Sequence, residues 1–302
     1  MPKSSVNLVV CGTIGLDTIT TPFGSVTNAL GGSASYAAIA ASYFFKPGII
    51  SIAGTDLPAK HRALLEAKHV DLTGLETTGK NFRWSGKYEF DLAEATTLAT
   101  ELNSLSGFKP TIPASYRSAR VLLLANIDPT SQQSVARQLP DAFVILDTMN
   151  FWIDQKRAEL LEAIGLTDVL VINEAEARQL TSELNLVKAA KQLLKLGLTF
   201  VIIKQGEHGA LLVSDHGWFS APGYPLEVIK DPTGAGDSFA GALAGYLAKR
   251  SVFDESTLRK AVIYGSALAS FCVEQFSVDG TAKLTPSNIR ERYHVFKKLQ
   301  SF

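Results

Sequence analysis

A heptapeptide that ends at Asp237, Asp-Pro-Thr-Gly-Ala-Gly-Asp, contains the residue types that phosphoryl transfer requires. Gly234, Ala235 and Gly236 are small, so their backbone N–H groups can converge on an anion without a side chain intervening. A helical pattern follows at once, over residues 238–249, and the N-terminus of a helix carries about half a positive charge. Asp237 lies in the same turn, where its carboxylate can take a proton from a group that attacks the anion. A glycine-rich turn that only caps a helix has the same local pattern. Features elsewhere in the chain are therefore needed to distinguish a phosphoryl-transfer site from an ordinary turn.

Composition narrows the class of protein. The chain has 302 residues, of which 46% are hydrophobic, enough for a large α/β domain with a sizeable core. Lys plus Arg and Asp plus Glu both number 29, so no net field attracts nucleic acid or an anionic membrane. No apolar stretch reaches the roughly 20 residues that span a bilayer, and residues 1–5 lack the features of a cleavable signal. We therefore expect a cytoplasmic protein that binds neither nucleic acid nor membrane, with buried free thiols at Cys11 and Cys272.

Short apolar runs alternate with helical patterns along most of the chain. The run Val121-Leu122-Leu123-Leu124 has no polar position, which indicates a strand buried on both faces. Strands that alternate with helices predict a parallel sheet between two layers of helices, with ligands bound beyond the carboxyl ends of the strands. The predicted strands span residues 7–12, 49–53, 121–125, 143–147, 169–173 and 200–204, and the predicted helices span 33–45, 59–67, 131–138, 155–163 and 186–196.

Two stretches depart from this alternation. Residues 17–30 are rich in Thr, Gly and Pro and have an extended pattern. Residues 82–90 alternate with period two, which predicts a strand with one aromatic face. The aromatic side chains on that face are Phe82, Trp84, Tyr88 and Phe90. Together the two stretches predict a small β-lid that covers a site, packs against a second lid, or does both.

Two other phosphate-binding fingerprints are not met. Gly12 and Gly15 follow the first predicted strand without the third glycine of a dinucleotide fold, and after the Gly-Ala-Gly segment the next glycine, Gly241, comes too late. Residues 74–80 nearly form a P-loop, but Asn81 replaces the Ser or Thr that holds magnesium, and a strand pattern follows. The sequence therefore does not favour a dehydrogenase, and we interpret the P-loop match as chance.

With these features together, the chain resembles the ribokinase or PfkB family of carbohydrate and nucleoside kinases over nearly its whole length. Residues 231–239 match the specific C-terminal signature of that family, and Gly31-Gly32 before a small-residue helix is similar to its N-terminal signature. The resemblance implies a single ribokinase-like α/β domain over residues 1–302. It implies three layers, with a mostly parallel central sheet between helices, and a small β-lid formed by excursions at about 16–30 and 78–105.

The resemblance also implies roles for individual residues. Asp237 would be the general base toward ATP, and Asn173 and Glu176 would support Mg²⁺ through water, although both types also cap helices well. Members of the family are frequently stimulated by K⁺, and by analogy Asp231 and the carbonyl of Thr233 would border such a site. The further implied residues are Gly234, Ala235 and Gly236 for catalysis, Lys204, Gly206, Gly209 and Thr233 for the nucleotide, and Asp17, Gly31, Gly32, Asn126 and Asn150 for the acceptor.

The acceptor is the least defined part of this hypothesis. Sugar-specific members often carry Asn four residues after the second glycine, where this chain has Tyr36, and Ser33 stands where Lys would follow the glycine pair. The aromatic side chains expected nearby are Phe82, Trp84, Phe151 and Trp152, and such rings pack on sugars as well as purines. We expect ATP-dependent phosphorylation of a primary hydroxyl of a sugar or sugar-like molecule. The alternatives are a purine nucleoside kinase (adenosine, inosine or guanosine) and, more remotely, a non-catalytic binding module. The lid is also a candidate surface for a homodimer.

Overall fold

The computed structural model describes residues 6–301, over which it has thirteen strands and eleven helices. In chain order the strands are β1 (Leu8–Cys11), β2 (Gly15–Thr21), β3 (Gly24–Gly31), β4 (Pro47–Ala53), β5 (Asp71–Thr77), β6 (Phe82–Tyr88), β7 (Ala95–Glu101), β8 (Val121–Leu124), β9 (Phe143–Asp147), β10 (Val169–Asn173), β11 (Phe200–Lys204), β12 (Ala210–Ser214) and β13 (Gly217–Ala221). The helices are α1 (Ser33–Ser42), α2 (Ala59–Ala67), α3 (Pro129–Gln138), α4 (Asn150–Gln155), α5 (Arg157–Ile164), α6 (Glu174–Thr181), α7 (Leu186–Leu194), α8 (Ala235–Ala248), α9 (Glu255–Cys272), α10 (Asp279–Ala282) and α11 (Pro286–Leu299).

Nine strands form the central sheet, in the spatial order β13-β12-β11-β10-β9-β8-β1-β4-β5. The strands from β11 to β5 pair in parallel, and β12 and β13 add an antiparallel edge. Successive side chains along a strand point to opposite faces of the sheet, so Leu122 and Leu123 belong to two different hydrophobic cores. Helices α1, α8 and α9 contribute to one core, and α3, α5 and α7 to the other. The predicted α/β class, with a mostly parallel sheet between helices, is therefore confirmed.

Most helix boundaries differ by a few residues from the sequence-based prediction, and two cases are informative. The helix predicted over 155–163 corresponds to α5, which begins at Arg157 and ends at Ile164, whereas the separate helix α4, which ends at Gln155, was not predicted. The helix predicted from residue 238 begins at Ala235, since three small or acidic residues can occupy a first turn. As a result Asp237 lies inside the first turn of α8, close to the positive end of the helix dipole.

Two expectations about single features can be compared with the structure. Cys11 and Cys272 are buried free thiols, as predicted, and burial raises the pKa of each to about 12. Within residues 6–301 no helix combines the length and the apolar character needed to cross a membrane.

A second sheet, which we call the lid, has the strand order β3-β2-β6-β7. Strands β2 and β6 pair in parallel with Asp17 opposite Trp84, and this pairing joins the two stretches that are separate in sequence. Residues in register share a face, so Asp17, Trp84 and Tyr88 lie on one side of the lid. The predicted aromatic face is wrong at its end: β6 stops at Tyr88, and Phe90 lies beyond the strand with 88% of its surface exposed.

A group of polar side chains anchors the start of β6 to the central sheet. Fully buried Asn81 accepts a hydrogen bond from the Gly54 N–H (2.8 Å) and donates to Asp56 Oδ1 (2.6 Å). Arg83 donates to Asp56 Oδ2 (3.0 Å) and to Asn28 Oδ1 (2.7 Å), and Asn28 belongs to β3. Charge-assisted bonds of this kind hold a fixed geometry better than apolar contacts alone. These bonds tie β3 and β6 of the lid to the segment that follows β4.

Helices α1 and α8 approach each other more closely than side chains would allow. A Cβ on Gly241 of α8 would lie 2.1 Å from the carbonyl oxygen of Ala37, and one on Gly245 would lie 2.7 Å from that of Ala41. The two backbones are therefore in direct contact at these glycines. Such close packing leaves little room for either helix to shift against the other. Each of these helices follows one of the two glycine motifs, so their contact joins the two motifs rigidly.

Candidate active site

The backbone N–H groups of residues 234–236, which we call the cradle, lie at the N-terminus of α8. Gly234 is the N-cap residue, and its φ of 76° is in the left-handed region that favours glycine. Among residues 6–301 no side chain caps this helix, so its first-turn N–H groups remain for an anion, although Ala235 also donates to the Pro232 carbonyl at 3.2 Å. A Cβ on Gly234 would lie 2.2 Å from the ring of Tyr36, which is 1% exposed. Tyr36 thus supports the cradle from below, whereas the sequence suggested a place in the acceptor pocket.

Asp237 is half-buried in the first turn of α8. Burial, reinforced by the Asp147 carboxylate and opposed by the Lys204 ammonium, raises the pKa of Asp237 to about 7. A carboxyl group with a pKa near the working pH is matched to accept a proton and to release it again. The environment therefore suits Asp237 to the role of a general base.

Lys204, at the end of β11, lies against the cradle. Its Nζ is 2.9 Å from Oδ1 of Asp147, which ends β9, and both side chains are largely buried. A Cβ on Gly236 would lie 2.8 Å from the same Nζ. The parallel strands β9 and β11 end at one edge of the sheet, and this explains how residues 57 positions apart meet there.

Asn173 and Glu176 form a reciprocal capping box at the start of α6. The Glu176 N–H donates to Asn173 Oδ1, and the Asn173 N–H donates to Glu176 Oε2, each at 2.8 Å. This is the helix-capping role that the sequence left open, and it uses one oxygen of each side chain. Burial raises the pKa of Glu176 to about 7, with the Lys204 ammonium opposing the rise and the Asp147 carboxylate adding to it.

The excess negative charge at the carboxyl edge of the central sheet fits a magnesium ion bound to a nucleotide. Three carboxylates, those of Asp147, Glu176 and Asp237, interact with the single ammonium of Lys204, which leaves the group short of positive charge. Mg²⁺ prefers oxygen ligands and keeps several waters. Within residues 6–301 no three His, Cys, Asp or Glu side chains are arranged to hold a metal directly. The donors present therefore fit an ion held through water, with the remaining ligands supplied by phosphates.

Asp17 and the glycine pair, which the sequence assigns to the acceptor, lie against each other. Asp17, in β2, is 4% exposed, and a Cβ on Gly31 would lie 2.0 Å from its Oδ2. Gly32 has a φ of 87°, in the left-handed region that favours glycine. Burial, followed by the Asp231 and Asp237 carboxylates, raises the pKa of Asp17 to about 7. The carboxylate of Asp17 thus lies within electrostatic range of Asp237.

Asn126, beyond the end of β8, is held in one orientation by Trp152. The indole Nε1 donates to Asn126 Oδ1 at 2.8 Å, and an indole N–H can only donate, so the amide oxygen must face it. The amide nitrogen then faces Met149 Sδ at 3.1 Å, a weak acceptor. The backbone carbonyl of Asn126 accepts from Ser33 Oγ (2.8 Å), which places it beside the glycine pair. The locked amide can present an N–H to a better acceptor than sulfur.

Three of the predicted site residues, Asn150, Gly206 and Gly209, have local structural roles. Asn150 is exposed, and its Oδ1 accepts from the N–H of Phe151 (2.9 Å). Gly206 and Gly209 lie in the turn after β11 with φ values of 56° and 101°, which favour glycine. A Cβ on Gly209 would lie 2.1 Å from the Ala221 carbonyl oxygen, so this glycine lets the turn approach β13. Their assignment to acceptor and nucleotide stays a prediction.

The lid touches the cradle segment at its base. Thr233 Oγ1 donates to the hydroxyl of Tyr88, the last residue of β6, at 3.2 Å, and Tyr88 is buried. Thr233 also donates its N–H to Asp231 Oδ1 (2.9 Å). The second oxygen of Asp231, Oδ2, accepts from the Ser277 N–H (3.0 Å), and Asp231 is fully buried. The bond from Thr233 therefore holds the end of β6 against the segment that precedes α8.

Sequence reasoning left three contributors out of the expected site. For Asp147, which ends the strand predicted over 143–147, the sequence leaves a contact to the acceptor or to phosphate open, and Tyr88 and Trp152 are predicted only as aromatic side chains. The one signal for Asp147 was its position, since polar residues that end parallel strands meet at the ligand-binding edge. The bonds from Thr233 to Tyr88 and from Trp152 to Asn126 have no local sequence signal.

In a comparison with known proteins, residues 14–283 match the family model described as pfkB family carbohydrate kinase. The cytidine kinase of Thermococcus kodakarensis is 32% identical over 249 residues, which cover 80% of this chain and 88% of that protein. The nucleoside kinase of Methanothermobacter thermautotrophicus is 27% identical over 254 residues, 82% of this chain and 79% of its own length.

Solved structures show the same fold. The aminoimidazole riboside kinase of Salmonella enterica, solved with aminoimidazole riboside and an ATP analogue, superposes with a TM-score of 0.77. The match covers 95% of this chain and 100% of that one, at 20% identity. At this identity the likeness concerns the fold alone.

Proposed function

Because the chain belongs to the pfkB family of carbohydrate kinases, we propose that it transfers the γ-phosphate of ATP to a primary hydroxyl of a sugar unit, with the ribose of a nucleoside as the favoured acceptor. Members of this family are phosphotransferases that act on hydroxyl groups of sugars or nucleosides. The observation that carries the proposal is the carboxylate of Asp237 in the first turn of α8, beside a cradle with no capping side chain among the described residues.

Two observations favour a nucleoside over a free sugar. The relatives that match about four-fifths of the chain are named as kinases of cytidine and of nucleosides. Two aromatic side chains also neighbour predicted acceptor residues, since Trp152 is bonded to Asn126 and Trp84 is the register partner of Asp17 in the lid. Aromatic rings stack well on bases. A free sugar is the second candidate, because the same rings can pack on its C–H faces.

In the proposed step Asp237 accepts the proton of the acceptor hydroxyl as its oxygen bonds to the γ-phosphorus. The bond from that phosphorus to the bridging oxygen breaks, and its electron pair leaves with ADP. The cradle N–H groups stabilise charge on the transferred group, an effect of about 10²–10³ in rate for each donor. Asp17 accepts hydrogen bonds from acceptor hydroxyls, and the amide of Asn126 donates one.

Two cations complete the proposal. Mg²⁺ carried by the nucleotide neutralises phosphate charge when it is bound, and the carboxylate of Glu176 with the amide of Asn173 would hold it through water. Asp231 is fully buried, and within residues 6–301 it makes no salt bridge. Burial raises its pKa, so K⁺ beside Asp231 and the Thr233 carbonyl would offset the cost of its charge.

The lid has two proposed roles. The bond of Thr233 to Tyr88 holds the lid next to the cradle, where a closed lid would exclude water and keep ATP from simple hydrolysis. The outer strand β7 exposes Leu98 (61%) and has a free edge in the lid sheet. Such an edge is a template for pairing with another strand, and we assign it to self-association of two copies.

The test of the proposed function is ADP release measured across a panel of acceptors. The panel contains cytidine, uridine, adenosine, inosine, guanosine, ribose and fructose, each with Mg²⁺ and with either K⁺ or Na⁺. We expect the highest kcat/KM with a nucleoside and faster turnover in K⁺. Preference for a free sugar would select the second candidate, and no release with any acceptor above the hydrolysis of ATP alone would contradict the kinase proposal.

The acid side of the pH profile should report the raised carboxyl pKa values. Asp237 cannot accept a proton while it is protonated, so kcat/KM should fall about tenfold per pH unit below its pKa of about 7. If Asp17 must be ionised as well, the fall approaches a hundredfold per unit, because its pKa is also about 7. Measurement of kcat/KM from about pH 5.5 to about pH 8.5 checks this. A profile that is flat across that range would show that neither carboxyl group limits the reaction.

A further inference from the structure

We propose that Lys204 binds the γ-phosphoryl group at the cradle and that Asp147 positions the ammonium there. This inference rests on the proposed function, since it names the side chain that would contact the transferred group. It assigns Lys204 a direct contact, in addition to the general nucleotide-site role implied by the glycine-containing turn that follows it.

The first argument is the cost of the ion pair. The side chains of Lys204 and Asp147 are 17% and 4% exposed, and their charged atoms are 2.9 Å apart. Burying two charges costs several kcal/mol per ion, and apolar residues of similar volume often serve stability equally well. Structural stability alone therefore does not account for an ion pair at this edge of the sheet.

The second argument is the direction of the ammonium. In an α-helix each Cα–Cβ bond tilts toward the N-terminus. A Cβ on Gly236 would lie 2.8 Å from Lys204 Nζ, so the ammonium lies at the N-terminal mouth of α8, where an anion would enter. Glycine at this position leaves the space that the ammonium occupies.

The third argument is charge. A phosphate dianion that approaches the cradle meets the carboxylates of Asp147, Glu176 and Asp237. Lys204 is the cation that interacts with all three of them. Lysine binds phosphate as a point charge on a flexible stem. The ammonium can therefore turn from Asp147 toward a phosphoryl oxygen without leaving the reach of either.

The test compares two nucleotides that differ in the γ-phosphate. Calorimetry with Mg²⁺ measures the affinity of the wild-type protein and of Lys204→Met for the β,γ-imido analogue of ATP and for ADP. We expect Lys204→Met to weaken the ATP analogue about 10–100-fold and ADP by less than about threefold. Lys204→Gln removes the charge but can still bond to Asp147, so it gives the same comparison if the methionine variant fails to fold.

The matched control is Lys156→Met, which breaks another Lys–Asp pair. Lys156 Nζ is 2.6 Å from Oδ2 of Asp128, the N-cap residue of α3. The control should leave the ratio of the two nucleotide affinities unchanged. A purely structural Lys204 would lower thermal stability and weaken both nucleotides equally, and that result would overturn the inference.

Asp147→Asn tests the positioning role. The amide keeps the shape of the carboxylate but loses its charge, so the ammonium is held less firmly against Gly236. We expect kcat to fall about tenfold while the nucleotide preference stays within about threefold, because the lysine charge is still present. An unchanged kcat would contradict the role given to Asp147.

The two levels of proposal fail differently. If the wild-type protein binds neither nucleotide, the kinase proposal is wrong and the role of Lys204 falls with it. If the wild-type protein binds both nucleotides and phosphorylates an acceptor, but Lys204→Met and Lys204→Gln keep the preference for the ATP analogue, only the role of Lys204 is wrong.

Discussion

Replacing Asp237 with Asn is expected to lower kcat by about 10²–10⁴ while leaving both KM values within about threefold. The amide has the size of the carboxylate but cannot accept the proton of the attacking hydroxyl. Steady-state ADP release with the best acceptor of the panel measures the effect. The control is Asp215→Asn, which makes the same chemical change at an exposed position in the turn between β12 and β13. Near-normal turnover of Asp237→Asn would show that another group takes the proton.

The same substitution should stabilise the protein at neutral and alkaline pH. The folded pKa of Asp237, about 7, lies above its ordinary value of 3.8, so ionisation costs stability. That cost is absent below the ordinary value, grows between the two values, and is complete above about pH 7. Because Asp237 is only partly buried, we expect a gain of about 1–2 kcal/mol at about pH 8 and none at about pH 4. Denaturant unfolding at the two pH values checks this, and equal gains at both would exclude the titration as the cause.

Gly31→Ala is expected to lower kcat/KM for the acceptor by about 10²–10³ with little change in the KM for ATP. The new methyl carbon would lie 2.0–2.4 Å from the carboxylate atoms of Asp17. Since Asp17 is 4% exposed, its carboxylate cannot move into solvent without shifting the strand. A displacement of about 1 Å in a positioning group is enough for a loss of this size.

Gly165→Ala provides the matched control for that prediction. Gly165 is the C-cap residue of α5, with a φ of −63°, and a Cβ there would have only ordinary contacts, at 3.4 Å and 3.6 Å. It should leave acceptor kinetics unchanged. If Gly31→Ala raised the KM for ATP and for the acceptor equally, the damage would be general, and the assignment of Asp17 to the acceptor would be wrong.

The fold and the family were predictable because their signals are local. Unbroken apolar strands such as β8 predict the parallel sheet, and the segment that ends at Asp237 predicts the helix N-terminus. The capping box of Asn173 and Glu176 is also readable from a spacing of three residues. In each case one short stretch of chain contains both partners of the interaction.

The contacts that complete the candidate site were not predictable for the opposite reason. Thr233 meets Tyr88 across 145 positions of sequence, and Lys204 meets Asp147 across 57. Such pairs depend on strand order and on the angle of the lid, which no local pattern encodes. The place of Tyr36 beneath Gly234 has the same origin, because it requires the docking of α1 on α8. The exposed Phe90 is a simpler failure, since alternation alone did not mark the end of β6.

The direct backbone contact of α1 with α8 has a consequence for how such an enzyme diverges. The glycine pair precedes one helix and the cradle begins the other, and Gly241 lies against Ala37 where the helices meet. Mutations at this junction would alter the separation of the two reacting groups and would be eliminated by selection. Mutations in the lid leave that separation intact, so they are the route by which a new substrate preference can arise. A library randomised only in β6 and β7 should therefore yield variants with altered acceptors and intact chemistry, whereas one randomised at the helix junction should yield inactive protein.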